Sequence, residues 1–222
     1  MLVEVYGHAL AGKTSFCRAL AGALTDELGS EGFVQYRLES AGALSRQLRR
    51  VSAAVKRPVA LSSGLLGGGN VARAVSQGRF RADVLGRIEG LQTFAGSARL
   101  CLADEGVFHG YWSSRLDDVD GTWRDARLKA AVRNYAARVD VALRVVVSEE
   151  VLLERIFAPG AEHPRLSKYS QSEVRRILSR LDHILDELER SLSSSAESIV
   201  VTDAAQARPV AERLAQAAHR AA

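Results

Sequence analysis

Residues 3–20, VEVYGHALAGKTSFCRAL, decide the fold of this chain. The stretch opens with an apolar, β-branched run, passes through a loop that contains Gly7 and Gly12, and continues with helical periodicity. This pattern predicts a buried strand, a tight turn and a helix in direct succession. The two glycines permit backbone angles in the turn that other residues adopt with difficulty.

The turn itself fits the pattern G-x-x-x-x-G-K-[ST], which is typical of a phosphate-binding loop. Its backbone N–H groups and the positive end of the following helix dipole can surround an anion. We expect Lys13 to reach the β and γ phosphates of a nucleotide and the Thr14 hydroxyl to bind Mg²⁺. The pattern assigns no chemistry to the side chain of His8. The predicted nucleotide-binding residues are Gly7, His8, Ala9, Leu10, Ala11, Gly12, Lys13, Thr14 and Ser15.

A second apolar run, LCLA, ends in Asp104 and Glu105. The carboxyl end of this predicted strand should lie beside the loop, because parallel strands present their carboxyl ends at one edge of the sheet. Asp104 is expected to hold Mg²⁺ or its waters, or to take a proton from an acceptor. Glu105 is a second candidate for the base.

Strands and helices alternate along the remaining sequence, which predicts a doubly wound α/β fold with a five-stranded parallel sheet and helices on both faces. The predicted strands are residues 2–6, 32–40, 98–106, 139–148 and 198–204. The predicted helical segments are residues 13–28, 41–96 (mostly helical), 123–138, 149–157, 171–191 and 209–220.

Composition favours a cytoplasmic protein of one domain. The 222 residues carry 30 basic and 26 acidic side chains, for a net charge of +4, without the basic aromatic stripe that follows nucleic acid. No apolar run approaches the roughly 18 residues of a membrane span, and the first strand leaves no room for a signal peptide. Cys17 and Cys101 are expected to be reduced and buried. We therefore expect neither nucleic acid nor membrane as a partner, and a monomer or homodimer.

The chain resembles the P-loop kinases of small metabolites, a group that contains thymidylate, adenylate and deoxynucleoside kinases. The resemblance rests on residues 7–14, on Asp104-Glu105-Gly106, and on residues 139–156 and 199–215. It implies a three-layer P-loop NTPase fold over residues 1–222, with ATP and Mg²⁺ as cofactors. It also implies a helical acceptor-binding region at about 41–97 and a lid at about 155–176, from which Arg155 and Arg165 would neutralise the transferring phosphoryl group.

The resemblance also suggests residues for the acceptor site. Glu39 matches the glutamate that lies close to the acceptor hydroxyl in deoxynucleoside kinases, where it could deprotonate or orient that group. The sequence departs from that family in two places: Ser40 stands in place of a proline, and the arginine common after the third-strand carboxylate is absent from Asp104-Glu105-Gly106. The predicted acceptor contacts are Glu39, Asp83, Arg87, Glu105 and Arg115; His109, Tyr111 and Trp112 either contact a base or pack in the core.

Three functions remain open from the sequence. The first is transfer of the γ-phosphate of ATP to a nucleoside, a nucleotide or a similar hydroxyl- or phosphate-bearing metabolite. The second is a regulatory ATPase in which Glu105 activates water, and the third is a non-catalytic nucleotide-binding protein. A GTPase is disfavoured because the sequence lacks an Asn-Lys-x-Asp stretch.

Overall fold

The computed structural model describes residues 1–36, 68–94, 98–116, 125–160, 163 and 165–220. Five strands form one sheet in the order β2-β3-β1-β4-β5, and every pair of neighbours is parallel. The strands are β1 (Leu2–Gly7), β2 (Phe33–Tyr36), β3 (Leu100–Asp104), β4 (Val141–Val145) and β5 (Glu197–Val201). The predicted five-stranded parallel sheet is confirmed.

The helices of the described residues form two groups that pack on this sheet. Helices α1 and α7 pack against each other, whereas α3 contacts β1 and also α2, α4 and α6. The helices are α1 (Lys13–Leu28), α2 (Gly68–Phe94), α3 (Val107–Arg115), α4 (Ala126–Ala136), α5 (Glu149–Phe157), α6 (Gln171–Glu189) and α7 (Ala207–Arg220), with a 3₁₀ turn at Ala204–Gln206. This arrangement gives the three layers that the sequence predicted.

The centre of the sheet forms the core. Every residue of β1 and β3 is buried, as expected for strands covered by helices on both sides. Cys17 and Cys101 are not joined in a disulfide, and neither has exposed surface. Helix α6 buries one apolar face, and its first turn is closed by a capping box between Ser170 and Glu173.

Helix α3 is the element that the sequence did not predict. Its N-terminus receives no local side-chain cap; instead the carboxylate of Glu4 on β1 accepts a hydrogen bond of 2.9 Å from the backbone N–H of Phe108. Glu4 lies so close that a Cβ on Gly106 would be 2.4 Å from its Oε2. The helix start is therefore set by a partner distant in sequence, which propensity and spacing do not reveal.

Several predictions fall on residues that the structure does not describe. The second strand is seen only over Phe33–Tyr36, so Glu39 and the rest of its predicted span lie outside the described residues. The predicted acceptor-binding region is described from residue 68 to residue 94, where it is one helix. In the described part of the chain, no helix has the length and apolar character needed to cross a membrane.

Candidate active site

The loop between β1 and α1 has the backbone that its glycines predicted. Gly7 has φ 141°, and a Cβ at this position would lie 2.3 Å from the carbonyl oxygen of Val145 on β4. Gly12 has φ 97° at the start of α1, and Leu10 is also left-handed with φ 63°. The loop thus turns sharply against β4, and its last residues form the first turn of α1.

Lys13 folds back over this loop. Its ammonium donates hydrogen bonds to the carbonyl oxygens of Gly7 at 3.1 Å and His8 at 2.5 Å, and the residue is only 7% exposed. Burial lowers the pKa of Lys13 to about 8, against the opposing charges of Cys17, Glu105 and Asp104. Thr14 and Ser15, by contrast, are exposed at the start of α1. The Lys13 ammonium and the Thr14 and Ser15 hydroxyls therefore lie at the same end of the sheet.

The carboxylates after β3 lie at that end as well. Asp104 pairs in register with Val5 of β1, is 4% exposed, and accepts a hydrogen bond of 3.5 Å from the Gln35 amide. Glu105 is exposed and has the left-handed φ of 57°. A hydroxyl from Thr14 and a carboxylate from Asp104 are oxygen ligands of the kind that Mg²⁺ uses together with phosphates and water.

Arg87, predicted with Asp83 as an acceptor contact, is directed at the turn that follows β3. Arg87 is 6% exposed and donates to the carbonyl oxygen of Glu105 and, at 3.2 Å, to that of Gly106. Its Nε donates to Asp83 at 2.9 Å, one helical turn away on α2. The pair therefore fixes the backbone that carries Asp104 and Glu105, and its contact with an acceptor stays a prediction.

The two predicted lid arginines occupy different places. Arg155 on α5 donates from Nη1 to the carbonyl oxygen of Leu10 at 2.7 Å, so it lies on the phosphate loop. Arg165 donates from its two terminal nitrogens to the hydroxyl and carbonyl oxygens of Ser113, both at 2.8 Å, and stacks 5.1 Å above the Phe80 ring. Arg165 thus ties the predicted lid segment to α3, and Leu166 next to it is completely buried.

Arg115, the remaining predicted acceptor contact, is the last residue of α3. It is half-buried, and its charge opposes the rise that burial causes in the pKa of Tyr111. The role of Arg115 and Tyr111 in acceptor binding stays a prediction.

A group of aromatic side chains lies beside Lys13, and it includes His109 and Trp112, for which the sequence left base contact and core packing open. The Trp112 ring lies 5.9 Å from the Lys13 ammonium, 5.9 Å from the His8 ring and 6.0 Å from the His109 ring. We call these four residues the Trp112 cluster. Burial and the cations Lys13, Arg87 and Arg165 lower the pKa of His109 to about 3, so its imidazole is neutral.

His8 is also joined to a residue far along the chain. Its Nε2 lies 2.7 Å from Oδ1 of Asp182 on α6, and Arg144 of β4 contacts that same oxygen at 3.3 Å. The one sequence signal for this network is Arg144, a charged residue within an otherwise apolar strand.

The fold is similar to that of solved kinase structures. A thymidylate kinase from Ehrlichia chaffeensis aligns with a TM-score of 0.54 at 11% identity, over 97% of this chain and 98% of that chain. A deoxyadenosine kinase from M. mycoides with bound dATP aligns with a TM-score of 0.51 at 10% identity, over 97% and 100% of the two chains. No model of a known protein family matches the sequence, and no curated protein does. The chain therefore has the three-layer α/β fold of the P-loop kinases, as its sequence predicted.

Proposed function

We propose that this protein is a phosphotransferase that moves the γ-phosphate of ATP to a small acceptor, namely a nucleoside, a nucleotide or a similar metabolite. The observation that carries the proposal is that Lys13 and Arg155 both bond to carbonyl oxygens of one loop, while the charge of Asp104, at the end of the neighbouring strand, acts on Lys13. The similarity of the whole fold to thymidylate and deoxyadenosine kinases supports it.

The loop would bind the β and γ phosphates through its backbone N–H groups and the start of α1. Lys13 would exchange its bonds to the Gly7 and His8 carbonyls for bonds to phosphate oxygens, and Arg155 would add a second cation from α5. Mg²⁺, held by Thr14 and Asp104, would supply further charge neutralisation on the phosphates. Lys13 and Asp104 are buried, and electrostatic stabilisation of the transferring group is stronger away from water, whereas Arg155 acts from the exposed side of the loop.

The acceptor would enter on the side of α2 and α3. Arg165 is held on α3 through Ser113, so it can approach the acceptor side of the transferring group rather than the loop itself. Glu39, which lies outside the described residues, stays our prediction for the group that orients the acceptor hydroxyl. Asp83 and Arg87 would keep the turn after β3 in place.

The test is transfer of label from [γ-³²P]ATP to separate panels of nucleosides and nucleoside 5′-monophosphates. Lys13→Ala is expected to keep the fold and lose at least about a hundredfold in turnover, since one preorganised cation facing the phosphates is removed. Lys129→Ala is the matched control, because Lys129 is an exposed cation that pairs with Glu187 on the protein surface. Undiminished turnover in a folded Lys13→Ala protein would refute the assignment.

A regulatory ATPase is the second candidate, and one observation favours it. Glu105 is exposed directly after Asp104, where a carboxylate could activate water. The same assay separates the two functions. Loss of ATP that does not depend on any added acceptor favours hydrolysis, whereas loss that depends on acceptor favours phosphotransfer.

A further inference from the structure

The Trp112 cluster contains three buried polar atoms whose hydrogen-bonding capacity is unused. Within the part of the chain that the structure describes, His8 Nδ1, His109 Nδ1 and Trp112 Nε1 have no hydrogen-bond partner. His8 is 8% exposed and Trp112 is 1% exposed. A buried polar group without a partner destabilises the folded protein. Because three such groups lie on neighbouring rings, the Trp112 cluster is suited to bind the polar atoms of a ligand.

Asp182 determines what His8 can offer that ligand. A carboxylate only accepts hydrogen bonds, so the Nε2 atom that lies 2.7 Å from Asp182 carries the hydrogen. In the neutral ring the Nδ1 atom then has a free lone pair and acts as an acceptor. Arg144 holds Asp182 in place from β4 at 3.3 Å. The result is a fixed carboxylate–imidazole pair.

The pair lies next to the point of phosphoryl transfer. The carbonyl oxygen of His8 accepts a hydrogen bond from the Lys13 ammonium, and both residues approach the same Trp112 ring at 5.9 Å. Lys13 marks the position of the γ-phosphate in the proposed function. His8 therefore belongs to the same loop as Lys13, and its imidazole lies on the side of that loop that faces α3.

We propose that His8 is the general base for the acceptor hydroxyl and that Asp182 is its positioning residue. This proposal rests on the phosphotransferase function proposed above. The acceptor oxygen forms a bond to the γ-phosphorus while the bond from that phosphorus to the β–γ bridging oxygen breaks and leaves its electron pair on ADP. The hydroxyl proton moves to His8 Nδ1, Asp182 balances the imidazolium charge, and the proton returns to solvent as the products leave.

The same pair selects the chemical class of the acceptor. A hydroxyl group has a proton to give to Nδ1 and lone pairs for the Trp112 N–H. A phosphate monoester near neutral pH has lost most of its protons and needs no base. The cluster is thus suited to a hydroxyl-bearing acceptor, such as a nucleoside, rather than to a nucleoside monophosphate.

The test compares His8→Gln and Asp182→Asn with Asp186→Asn. Asp186 lies one turn beyond Asp182 on α6 and also pairs with Arg144, but the carboxylate that binds His8 is Asp182, so Asp186 controls for loss of a surface carboxylate. Each protein is assayed with [γ-³²P]ATP and the nucleoside and monophosphate panels, with water present as an acceptor throughout. Binding of the non-hydrolysable analogue AMP-PNP with Mg²⁺ is measured by thermal shift.

We expect His8→Gln to lower kcat by about 10²–10⁴-fold with the acceptor that wild type uses, or with water if it uses no other. AMP-PNP binding and the KM for ATP should stay near wild type. Asp182→Asn should lower kcat by about tenfold or more, again with AMP-PNP binding and the KM for ATP near wild type. Asp186→Asn should not lower kcat. Wild-type kcat in His8→Gln, or equal loss of AMP-PNP binding and turnover, would overturn the roles of His8 and Asp182 but not the phosphotransferase function. An inactive wild type would overturn the proposed function, and the dyad with it.

Discussion

Gly7 shows how closely the phosphate loop packs against β4. A Cβ at Gly7 would lie 2.3 Å from the Val145 carbonyl oxygen, and the φ of 141° strains any L-residue. We expect Gly7→Ala to lower the free energy of unfolding by about 2 kcal/mol or more and to weaken AMP-PNP binding. Urea unfolding and thermal shift measure the two effects.

Gly22 is the matched control for that substitution. It lies within α1, and a Cβ there would meet nothing within 4 Å. Gly22→Ala should raise stability by up to about 1 kcal/mol, because alanine favours the helix. Equal effects of the two alanines would mean that the loop can move away from β4, contrary to the close contact seen here.

The loop was predictable from single residues because its requirements are local. Gly7, Gly12, Lys13 and Thr14 stand at a spacing that has physical meaning without the rest of the chain. The partner of His8 was not predictable, since Asp182 is 174 residues away along the sequence. Nothing in the local sequence of His8 shows that its ring is held by a carboxylate on α6.

At the scale of the element, α3 lies beside three parts of the site: the loop, the predicted lid segment and the turn after β3. Arg165 of the lid segment bonds to Ser113 of α3, and Arg87 of α2 bonds to the turn that precedes this helix. The sequence indicated the boundaries of α5 correctly at Glu149–Phe157, where a local Ser148 cap starts the helix. It did not reveal α3, whose first N–H groups depend on Glu4 of a distant strand.

The lid prediction belongs to this scale. Removing the guanidinium in Arg165→Ala should release the lid segment from α3, lower acceptor-dependent turnover by about tenfold or more, and leave AMP-PNP affinity near wild type. Hydrogen exchange over residues 165–170 should be faster in this variant. It should be slower in wild type when AMP-PNP, Mg²⁺ and a nucleoside are present together.

Ser113→Ala provides the comparison for Arg165→Ala. It removes the hydroxyl that accepts one guanidinium bond and keeps the backbone carbonyl that accepts the other. Its effect on exchange and turnover should therefore be smaller. If neither variant changes exchange or turnover, the lid cation must be sought at Arg155, which already contacts the loop through Leu10.

At the scale of the whole molecule, the alternation of apolar strands and helices was sufficient to predict the sheet and its layers. Parallel strands buried on both faces need continuous apolar runs, and such runs can be recognised from short stretches of the sequence. The side of the site that would receive the acceptor was not predictable, because it depends on how α2 and α3 pack together. A polar side chain on these helices can bind a backbone group instead of a ligand, as Arg87 does when it donates to the Glu105 and Gly106 carbonyls.

The buried carboxyl of Glu4 links stability to pH. Burial raises its pKa from 4.5 to about 7, although hydrogen bonds from Tyr135 and the Phe108 N–H and the charge of Arg87 oppose the rise. Since the folded state holds the proton more tightly, this contribution to stability is complete below about pH 4.5 and is lost as the pH rises through about 7. Between pH 5 and pH 8 the loss should amount to about 2–3 kcal/mol.

Glu4→Gln should abolish that part of the pH dependence. The amide keeps one oxygen to accept from the Phe108 N–H and an NH₂ group to face the Tyr135 hydroxyl, so α3 retains its start. Urea unfolding of both proteins from pH 5 to pH 8 measures the difference, which isolates Glu4 because all other groups titrate in both. Glu212→Gln, on the exposed face of α7, controls for loss of a surface carboxylate. A difference that stays constant over this range would show that Glu4 remains ionised in the folded protein, with Arg87 as its counter-charge.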